Sequence, residues 1–397
     1  MHRHRRLVFG CLVAILLCAS LLADQQRLRP RDVDAIPSKK ADARIRYGSD
    51  PYNYGDLRLP KGAGPFPVAI VIHGGCWISK FATLQNTAAL ADALRDAGVA
   101  TWNIEYRRLD HAGGGWPGTF HDVGAAADHV RVLAKEYPLD PNRVVSVGHS
   151  AGAHLALWLA GRHRLAADSE LRRDDPLKLA GAVALGGPGD LRDFTTYAAS
   201  VCGSPVIEQL LGGNPESVPR RYAQASPAEL LPLGTRQVLI IGESDGVMPQ
   251  KSRDAYVAAA RKATDRVDLV MVPVAGHFEV IAPASSAWPV VRDRVLELLG
   301  SPQESARPFA IIRWGGVRSL GSLREIALHV WTISLFEQRF ELGQSLPILS
   351  SAGGPFQRTP PMIMHRTPPP ESTRRRPTRS GVIALSAQTF ADGRATA

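Results

Sequence analysis

A serine between two glycines is the residue of this chain best suited to nucleophilic chemistry: Ser150, in Gly148-His149-Ser150-Ala151-Gly152. An apolar run over residues 143–148 precedes it, and an apolar helical pattern over 151–161 follows it. This order predicts a strand that turns at once into a helix. Such a turn strains its central residue and exposes the side chain, while the flanking glycines let neighbouring chain approach closely. Ser150 is therefore the candidate nucleophile.

A serine hydroxyl needs donors that stabilise the negative charge developing on the carbonyl it attacks. The motif His73-Gly74-Gly75-Cys76-Trp77 follows a predicted strand over 67–72, where flexible backbone can aim N–H groups at one point. The amides of Gly75 and Cys76, together with the Ala151 amide at the start of the predicted helix, are the candidate oxyanion hole.

The hydroxyl also needs a base, and the base needs an orienting acid. His277 follows the last predicted strand and precedes the last predicted helix, so it can reach the edge of the sheet. Asp245 lies in the loop after a predicted strand over 237–243 and is the candidate acid. Glu243, closer to that strand, is the alternative acid. The chain order serine, aspartate, histidine is that of α/β-hydrolase triads.

Contacts to the substrate are harder to assign from sequence. Trp77 and His149 flank the predicted site and are candidate substrate-binding residues. Trp116 and Tyr197 are further aromatic candidates. Trp77, Trp116 and Tyr197 can equally serve as packing residues. His149 is expected to point away from Ser150.

Short β-branched runs alternate with longer helical patterns between residues 41 and 300. This alternation predicts an α/β domain with a mostly parallel central sheet flanked by helices. Residues 24–40 are predicted to be a linker. Residues 188–236 are a predicted insertion beside the carboxyl edge of the sheet, where open α/β sheets bind ligands. Residues 301–397, basic and rich in proline and arginine, are predicted to be a largely disordered tail.

The first 23 residues have the layout of a secretory signal peptide, with a basic start and an apolar run from Leu7 to Ala23. We expect export to the periplasm or the medium, with cleavage after Ala23 and no stable membrane association afterwards. An uncleaved membrane anchor is the alternative. Cys76 and Cys202 remain after cleavage, and an oxidising compartment allows a disulfide that spacing alone does not establish.

The net charge of +10 does not indicate a nucleic-acid partner, because it lies mostly at the chain ends. Residues 24–300 carry 32 basic and 31 acidic residues. They contain no recognisable nucleic-acid-binding module. No cysteine and histidine cluster has the spacing of a zinc site, so no metal ligand is predicted.

Four motifs together resemble α/β-hydrolases: HGGCW at 73–77, GHSAGAHLA at 148–156, GESDGVMP at 242–249 and AGHFEV at 275–280. They are most similar to the carboxylesterase branch that includes bacterial feruloyl-esterase-like (BD-FAE-like) proteins and kynurenine formamidases. The resemblance implies a Ser150, Asp245 and His277 triad, and amide donors at Gly75, Cys76 and Ala151. It also implies that no metal or organic cofactor is used.

The function expected from these residues and this resemblance is hydrolysis of small-molecule carboxylic esters through an acyl-enzyme intermediate. An amide or formamide hydrolase similar to kynurenine formamidase, or a serine peptidase, is the alternative. A non-catalytic binding module with a hydrolase fold is a third possibility. The sequence predicts no oligomeric state.

Overall fold

One sheet of eight strands lies at the centre of residues 27–300, the part of the chain that the computed structural model describes. Its order is β1-β2-β4-β3-β5-β6-β7-β8. The strands are β1 (Ala43–Arg46), β2 (Tyr54–Arg58), β3 (Phe66–Ile72), β4 (Ala100–Ile104), β5 (Leu139–His149), β6 (Gly181–Leu185), β7 (Arg236–Gly242) and β8 (Val267–Val272). Strand β2 pairs antiparallel with both β1 and β4, and all other pairs are parallel. The predicted mostly parallel sheet is confirmed.

Helices connect the strands, as the alternating sequence pattern predicts. They are α1 (Pro30–Asp34), α2 (Ala88–Asp96), α3 (Gly118–Asp128), α4 (Val130–Glu136), α5 (Ala151–Gly161), α6 (Leu191–Cys202), α7 (Val206–Leu211), α8 (Pro219–Ala225), α9 (Gln250–Lys262) and α10 (Trp288–Leu298). Short 3-10 turns cover Leu84–Thr87, Arg162–Arg164, Pro227–Leu230 and Glu279–Ile281. The helix predicted over 119–137 is two helices, α3 and α4, which meet at His129.

The sheet has an apolar core on each face because successive side chains of a strand point to opposite sides. On β3, Val68, Ile70 and Ile72 belong to the core that contains α5. Ala69 and Val71 belong to the core that contains the inner faces of α2 and α10. Every residue of α5 is buried, which explains why its sequence is apolar on all sides.

The predicted insertion over 188–236 folds as the three helices α6, α7 and α8 and the 3-10 turn Pro227–Leu230. Their apolar residues, including Phe194 of α6 and Leu210 of α7, belong to the same core as α5. The insertion is therefore packed on the sheet domain along its length. Its first helix begins at a capped end, where the Asp190 carboxylate accepts hydrogen bonds from the amides of Arg192 and Asp193.

The linker predicted over 24–40 is wrong for its described part, residues 27–40. Val33, on helix α1, is only 1% exposed and packs in the core beneath α2. The Asp34 carboxylate accepts a hydrogen bond from Asn86 Nδ2 at 3.1 Å. Leu28, Val33 and Ile36 all contact that core, but three apolar residues in a short polar stretch are too few to give a periodic signal, so the sequence did not indicate that this segment docks on the domain.

The predicted signal peptide at 1–23 and the predicted tail at 301–397 lie outside the described residues. Within residues 27–300, no helix combines the length and the hydropathy that crossing a bilayer requires.

Candidate active site

Ser150 lies at the tight turn between β5 and α5, as the sequence predicts. Its backbone has φ 53° and ψ −118°, a left-handed region that costs a non-glycine residue about 1 kcal/mol or more. The Ser150 amide donates a 2.8 Å hydrogen bond to the Leu185 carbonyl at the end of β6. A Cβ at Gly152 would lie 2.2 Å from the Ile72 carbonyl oxygen, so only glycine lets α5 start this close to β3. The surrounding backbone therefore fixes the strained turn.

The loop from His73 to Trp77 lies beside this turn. Gly75, Cys76 and Trp77 all have positive φ, at 94°, 50° and 54°, so three successive residues adopt left-handed backbone. Within residues 27–300, the amides of Gly75, Cys76 and Ala151 donate to no carbonyl or side chain. Two of these residues, Cys76 and Ala151, line the same small pocket as Ser150.

The segment Glu105–Leu109, which follows β4, holds this loop in place. The Leu109 amide donates to the Trp77 carbonyl at 2.8 Å, and the Tyr106 hydroxyl donates to the His73 carbonyl at 2.9 Å. The Tyr106 and His73 rings stack with centroids 4.5 Å apart. The loop's backbone is thus tied at both ends by residues of a neighbouring strand end, which fixes the direction of its free amides.

Glu105 is a buried carboxylate at the centre of this support, and the sequence analysis missed it. His73 Nε2 donates to Glu105 Oε1 at 2.9 Å, and Arg108 NH2 lies 3.2 Å from the same oxygen. Burial opposes ionisation of Glu105, but the charges of His73 and Arg108 outweigh it and lower its pKa. The available signal was an acid directly after a buried strand, beside the strand that ends in His73-Gly74-Gly75.

The predicted base and acid meet at the ends of β8 and β7. His277 Nδ1 donates a 2.9 Å hydrogen bond to Asp245 Oδ2. The Asp245 side chain is fully buried, and His277 remains 9% exposed. Glu243, the alternative acid, is exposed, and within residues 27–300 no hydrogen bond joins it to His277. The structure therefore pairs His277 with Asp245.

Asp245 is held ionised by its surroundings. Its Oδ1 accepts hydrogen bonds from the amides of Val247 at 2.7 Å and Met248 at 3.1 Å. Burial raises the pKa of this carboxyl, but the hydrogen bond and charge of His277 and the two amides lower it more. The net result is a pKa below the usual value. An ionised Asp245 fixes the His277 tautomer that carries its proton on Nδ1 and leaves Nε2 free to accept one.

Two glycines after β6 bring the pair close to the serine. A Cβ at Gly186 would lie 2.8 Å from Asp245 Oδ2 and 3.1 Å from His277 Nδ1. A Cβ at Gly187 would lie 2.1 Å from the Ser150 carbonyl oxygen. The hydroxyl-bearing turn and the His277–Asp245 pair therefore flank the same two residues at the carboxyl edge of the sheet.

His149 does not contact the pocket, which corrects its prediction as a substrate-binding residue. It is buried, and its Nε2 donates to the His277 carbonyl at 2.9 Å. The two rings lie 4.6 Å apart. Burial, reinforced by the nearby His277 charge, lowers the pKa of His149 to about 3, so its ring stays neutral. His149 instead positions the backbone of His277.

The pocket beside Ser150 is small and mostly apolar. Its walls come from the loop after β3, from helix α6 and from the loop after Asp245. The lining residues are Cys76, Trp77, Ser150, Ala151, Gly186, Pro188, Phe194, Val201, Cys202, Val247 and Met248. Trp77 is buried and lines the pocket, and its contact with a substrate stays a prediction. Trp116 and Tyr197 are not among the lining residues.

A disulfide between Cys76 and Cys202 crosses the wall of this pocket, with the two Cα atoms 5.9 Å apart. The sequence left this pairing open.

No set of three or more His, Cys, Asp or Glu side chains within residues 27–300 is arranged to hold a metal ion. The groups present are the Ser150 hydroxyl, the His277 imidazole bound to the Asp245 carboxylate, and free backbone amides. Nucleophilic acyl substitution requires groups of these kinds.

Comparison with known proteins places the chain in a family. Residues 56–258 match the family model described as BD-FAE. Esterase LipC of Mycobacterium tuberculosis is 28% identical over 247 residues, which are 59% of this chain and 59% of LipC. A probable isoprenylcysteine alpha-carbonyl methylesterase of Arabidopsis thaliana, ICMEL1, is 35% identical over 113 residues, 28% of this chain and 23% of that protein. The chain thus spans about three fifths of one relative and a quarter of the other.

Solved structures show the same fold. A truncated carbohydrate esterase from gut microbiota superposes with a TM-score of 0.57 at 21% identity, covering 66% of this chain and 99% of that chain. Esterase B of Lactobacillus rhamnosis, inhibited by a tributyrin phosphonate, superposes with a TM-score of 0.57 at 17% identity, covering 74% of this chain and 95% of that chain. These likenesses confirm the α/β-hydrolase fold.

Proposed function

The chain belongs to the BD-FAE family of α/β-hydrolases, and on this premise we propose that it hydrolyses small-molecule carboxylic esters through an acyl-enzyme on Ser150. The observation that carries the proposal is the hydrogen-bonded His277–Asp245 pair beside the strained Ser150 turn. The relatives named as esterases support the same reaction class.

In the first step, the Ser150 hydroxyl attacks the ester carbonyl as His277 Nε2 takes its proton. The hydrogen bond from Nδ1 to Asp245 supports this role, because the ionised carboxylate stabilises the imidazolium that forms. The carbonyl oxygen becomes negatively charged in the tetrahedral intermediate. His277 then returns the proton to the leaving alcohol, and the acyl group stays on Ser150.

The amides of Cys76, Ala151 and Gly75 would bind the negative oxygen. Their lack of an acceptor within residues 27–300 supports this oxyanion-hole role. The positions of Cys76 and Ala151 in the pocket wall beside Ser150 support it further. Loss of one such donor typically costs about 100- to 1,000-fold in turnover.

In the second step, water attacks the acyl-enzyme while His277 takes its proton. His277 then gives that proton to Ser150 Oγ as the ester bond to Ser150 breaks, and the acid product leaves. The steady-state test uses the full chain, with p-nitrophenyl acetate and butyrate as substrates. We expect turnover by the wild type and, for Ser150→Ala, a kcat at least about 1,000-fold lower. Equal rates for the two proteins would refute the proposal.

An amide or formamide hydrolase would use the same residues with a different leaving group. Three substrates separate ester hydrolysis from amide and formamide hydrolysis. p-Nitrophenyl acetate and p-nitroacetanilide share an acyl group, and N-formyl-kynurenine is the formamide. We expect kcat/KM for the ester to exceed that for both amides. A higher kcat/KM for N-formyl-kynurenine would replace the ester assignment with the formamide one.

Export of the protein remains part of the proposal. The disulfide between Cys76 and Cys202 supports it, because such bonds persist mainly in oxidising compartments. The test is fractionation of producing cells, followed by intact mass measurement of the exported protein. We expect a chain that begins after Ala23; a full-length chain in the membrane fraction would favour the anchor instead.

A further inference from the structure

The disulfide joins the proposed oxyanion-hole loop to the far end of the insertion's first helix. Cys76 supplies one of the free amides, and its side chain is bonded to Cys202, the last residue of α6. The two positions are 126 residues apart in sequence. One covalent bond therefore connects the loop that carries the Cys76 amide with helix α6, which lines the pocket.

The pocket that this bond borders is narrow. Phe194, Val201 and Cys202 of α6 form one wall, and Met248 lies among the lining residues from the loop after Asp245. The free volume is about 10 Å³, close to the room needed by one water molecule. A methyl group is of comparable size, whereas a propyl chain needs the wall to move.

This narrow pocket suits the acyl part of an ester rather than the alcohol. The alcohol must depart before water attacks the acyl-enzyme, so it needs an open path to solvent. The acyl group stays bound to Ser150 between the two steps, and its carbonyl oxygen must lie near the Cys76 and Ala151 amides. Both amides lie in the wall of this pocket.

The two ends of α6 are held differently. Near its start, Asp193 accepts a hydrogen bond from the Ser252 hydroxyl, and Arg192 pairs with Glu229 at 2.6 Å. Near its end, Ala199, Ser200 and Gly203 are exposed. Ala198 of the same turn is buried in the core, and the disulfide adds a covalent attachment of this turn to the loop that carries Cys76.

We propose that the Cys76–Cys202 disulfide is a specificity-determining element that restricts this pocket to short acyl groups of about two carbons, and that it also positions the Cys76 amide. This inference rests on the proposed ester hydrolysis. With the bond broken, the last turn of α6 can withdraw from the pocket, so longer acyl chains enter. The Cys76 amide is then held less rigidly toward the negative carbonyl oxygen, so the acetyl ester reacts more slowly.

The test measures kcat and KM of the full chain for p-nitrophenyl acetate, butyrate and hexanoate. The proteins are the wild type, Cys202→Ala and Phe194→Ala, and the wild type is also assayed after reduction with a phosphine. Ser200→Ala is the matched control, because Ser200 is exposed on the same helical turn and does not line the pocket. Reductant added to Cys202→Ala controls for effects unrelated to the bond.

We expect the butyrate-to-acetate ratio of kcat/KM to rise at least about 10-fold in Cys202→Ala and in the reduced wild type. The kcat for acetate should fall at least about 3-fold in both. Phe194→Ala should raise the ratio with the bond intact, while Ser200→Ala and reductant on Cys202→Ala should change nothing.

A uniform loss on all three esters, with the ratio unchanged, would show that the bond only stabilises the fold and would overturn the inference. If Cys202→Ala fails to fold, the same ratio in the reduced wild type decides. Failure of the proposed function looks different: the oxidised wild type would hydrolyse none of the esters, which would overturn both proposals.

Discussion

The two sides of the candidate site are built in different ways. The nucleophile side, which is the turn at Ser150 with the loop 73–77, is fixed by close backbone packing. The base side, which is the loops 243–249 and 273–279, packs closely where β7 ends, but it is open at its loop tips and is joined by side-chain hydrogen bonds. A Cβ at Gly148 would lie 1.9 Å from a carbonyl oxygen, whereas a Cβ at Gly246 would have no atom within 4 Å. Val274 on the base side is 54% exposed.

Because of this difference, substitutions on the two sides should affect stability and catalysis to different extents. On the nucleophile side, a small added group must move strands and helices, so substitutions there should destabilise the fold. On the base side, a substitution removes a polar contact while leaving room for the loops, so activity should suffer more than stability. Matched substitutions on the two sides test this contrast.

The largest effect is expected from Asp245→Asn on the base side. The amide cannot stabilise the His277 imidazolium and favours the wrong tautomer, so kcat should fall by about 1,000- to 10,000-fold. The matched control is Glu243→Gln, an exposed carboxylate at the end of the same strand, which should keep wild-type kcat. If the two variants lost activity equally, Asp245 would not be the orienting acid.

The stability cost of Asp245→Asn should depend on pH. Because the folded-state pKa of Asp245 lies below the ordinary 3.8, ionised Asp245 stabilises the fold above that pH. This contribution is lost as pH falls through the lowered folded-state value. Urea unfolding should therefore show a gap between wild type and variant at pH 7 that narrows below about pH 3.8; a gap that widens on acidification would contradict the assigned shift.

On the nucleophile side, Gly152→Ala should lower the free energy of unfolding by about 3 kcal/mol or more, since its Cβ would overlap the Ile72 carbonyl oxygen. Gly246→Ala is the matched change on the base side and should stay within about 0.5 kcal/mol of wild type. Denaturant unfolding monitored by circular dichroism measures both. Similar costs for the two would remove the contrast between the sides.

A smaller effect is expected from Glu105→Gln, beneath the loop 73–77. The neutral amide holds His73 and Arg108 less firmly, and displacement of catalytic groups by about 1 Å can cost about 100-fold in rate. We expect kcat to fall roughly 10-fold with KM nearly unchanged. Glu136→Gln, at an exposed helix end, is the control. A raised KM with normal kcat would instead place Glu105 in substrate binding.

The smallest effect is expected from Arg27→Ala. The Arg27 side chain donates to the Val274 carbonyl and to the Ser244 hydroxyl, so it joins the two loops that carry His277 and Asp245. Exposed contacts of this kind contribute little, and we expect kcat to fall about 2- to 3-fold. Arg31→Ala, an exposed arginine on α1, should have no effect; equal losses would argue against a specific clamp.

Local patterns in the sequence predicted the parts of the site that depend on strand ends. The turn at Ser150 follows from one stretch of chain, and Asp245 and His277 follow because parallel strands end at a common edge. Glu105 was not predictable in the same way, because its role depends on His73, which pairing between β3 and β4 brings beside it.

Long-range contacts account for the other features of the structure that the sequence did not predict. The disulfide joins two cysteines whose proximity depends on how the insertion packs, and spacing carries no such information. Val33 and Arg27 lie in a polar segment without periodicity, so their docking on the domain had no local signal. His149 looked like a pocket residue because it precedes Ser150, but backbone direction turns its ring beneath His277.

Covalent labelling identifies the nucleophile, for which we propose Ser150. The full-length wild type and Ser150→Ala would be treated with a fluorophosphonate, and the modified peptide identified by mass spectrometry. We expect one phosphonyl group per chain, on Ser150, and no labelling of the variant. Labelling of another residue, or equal labelling of the variant, would contradict it.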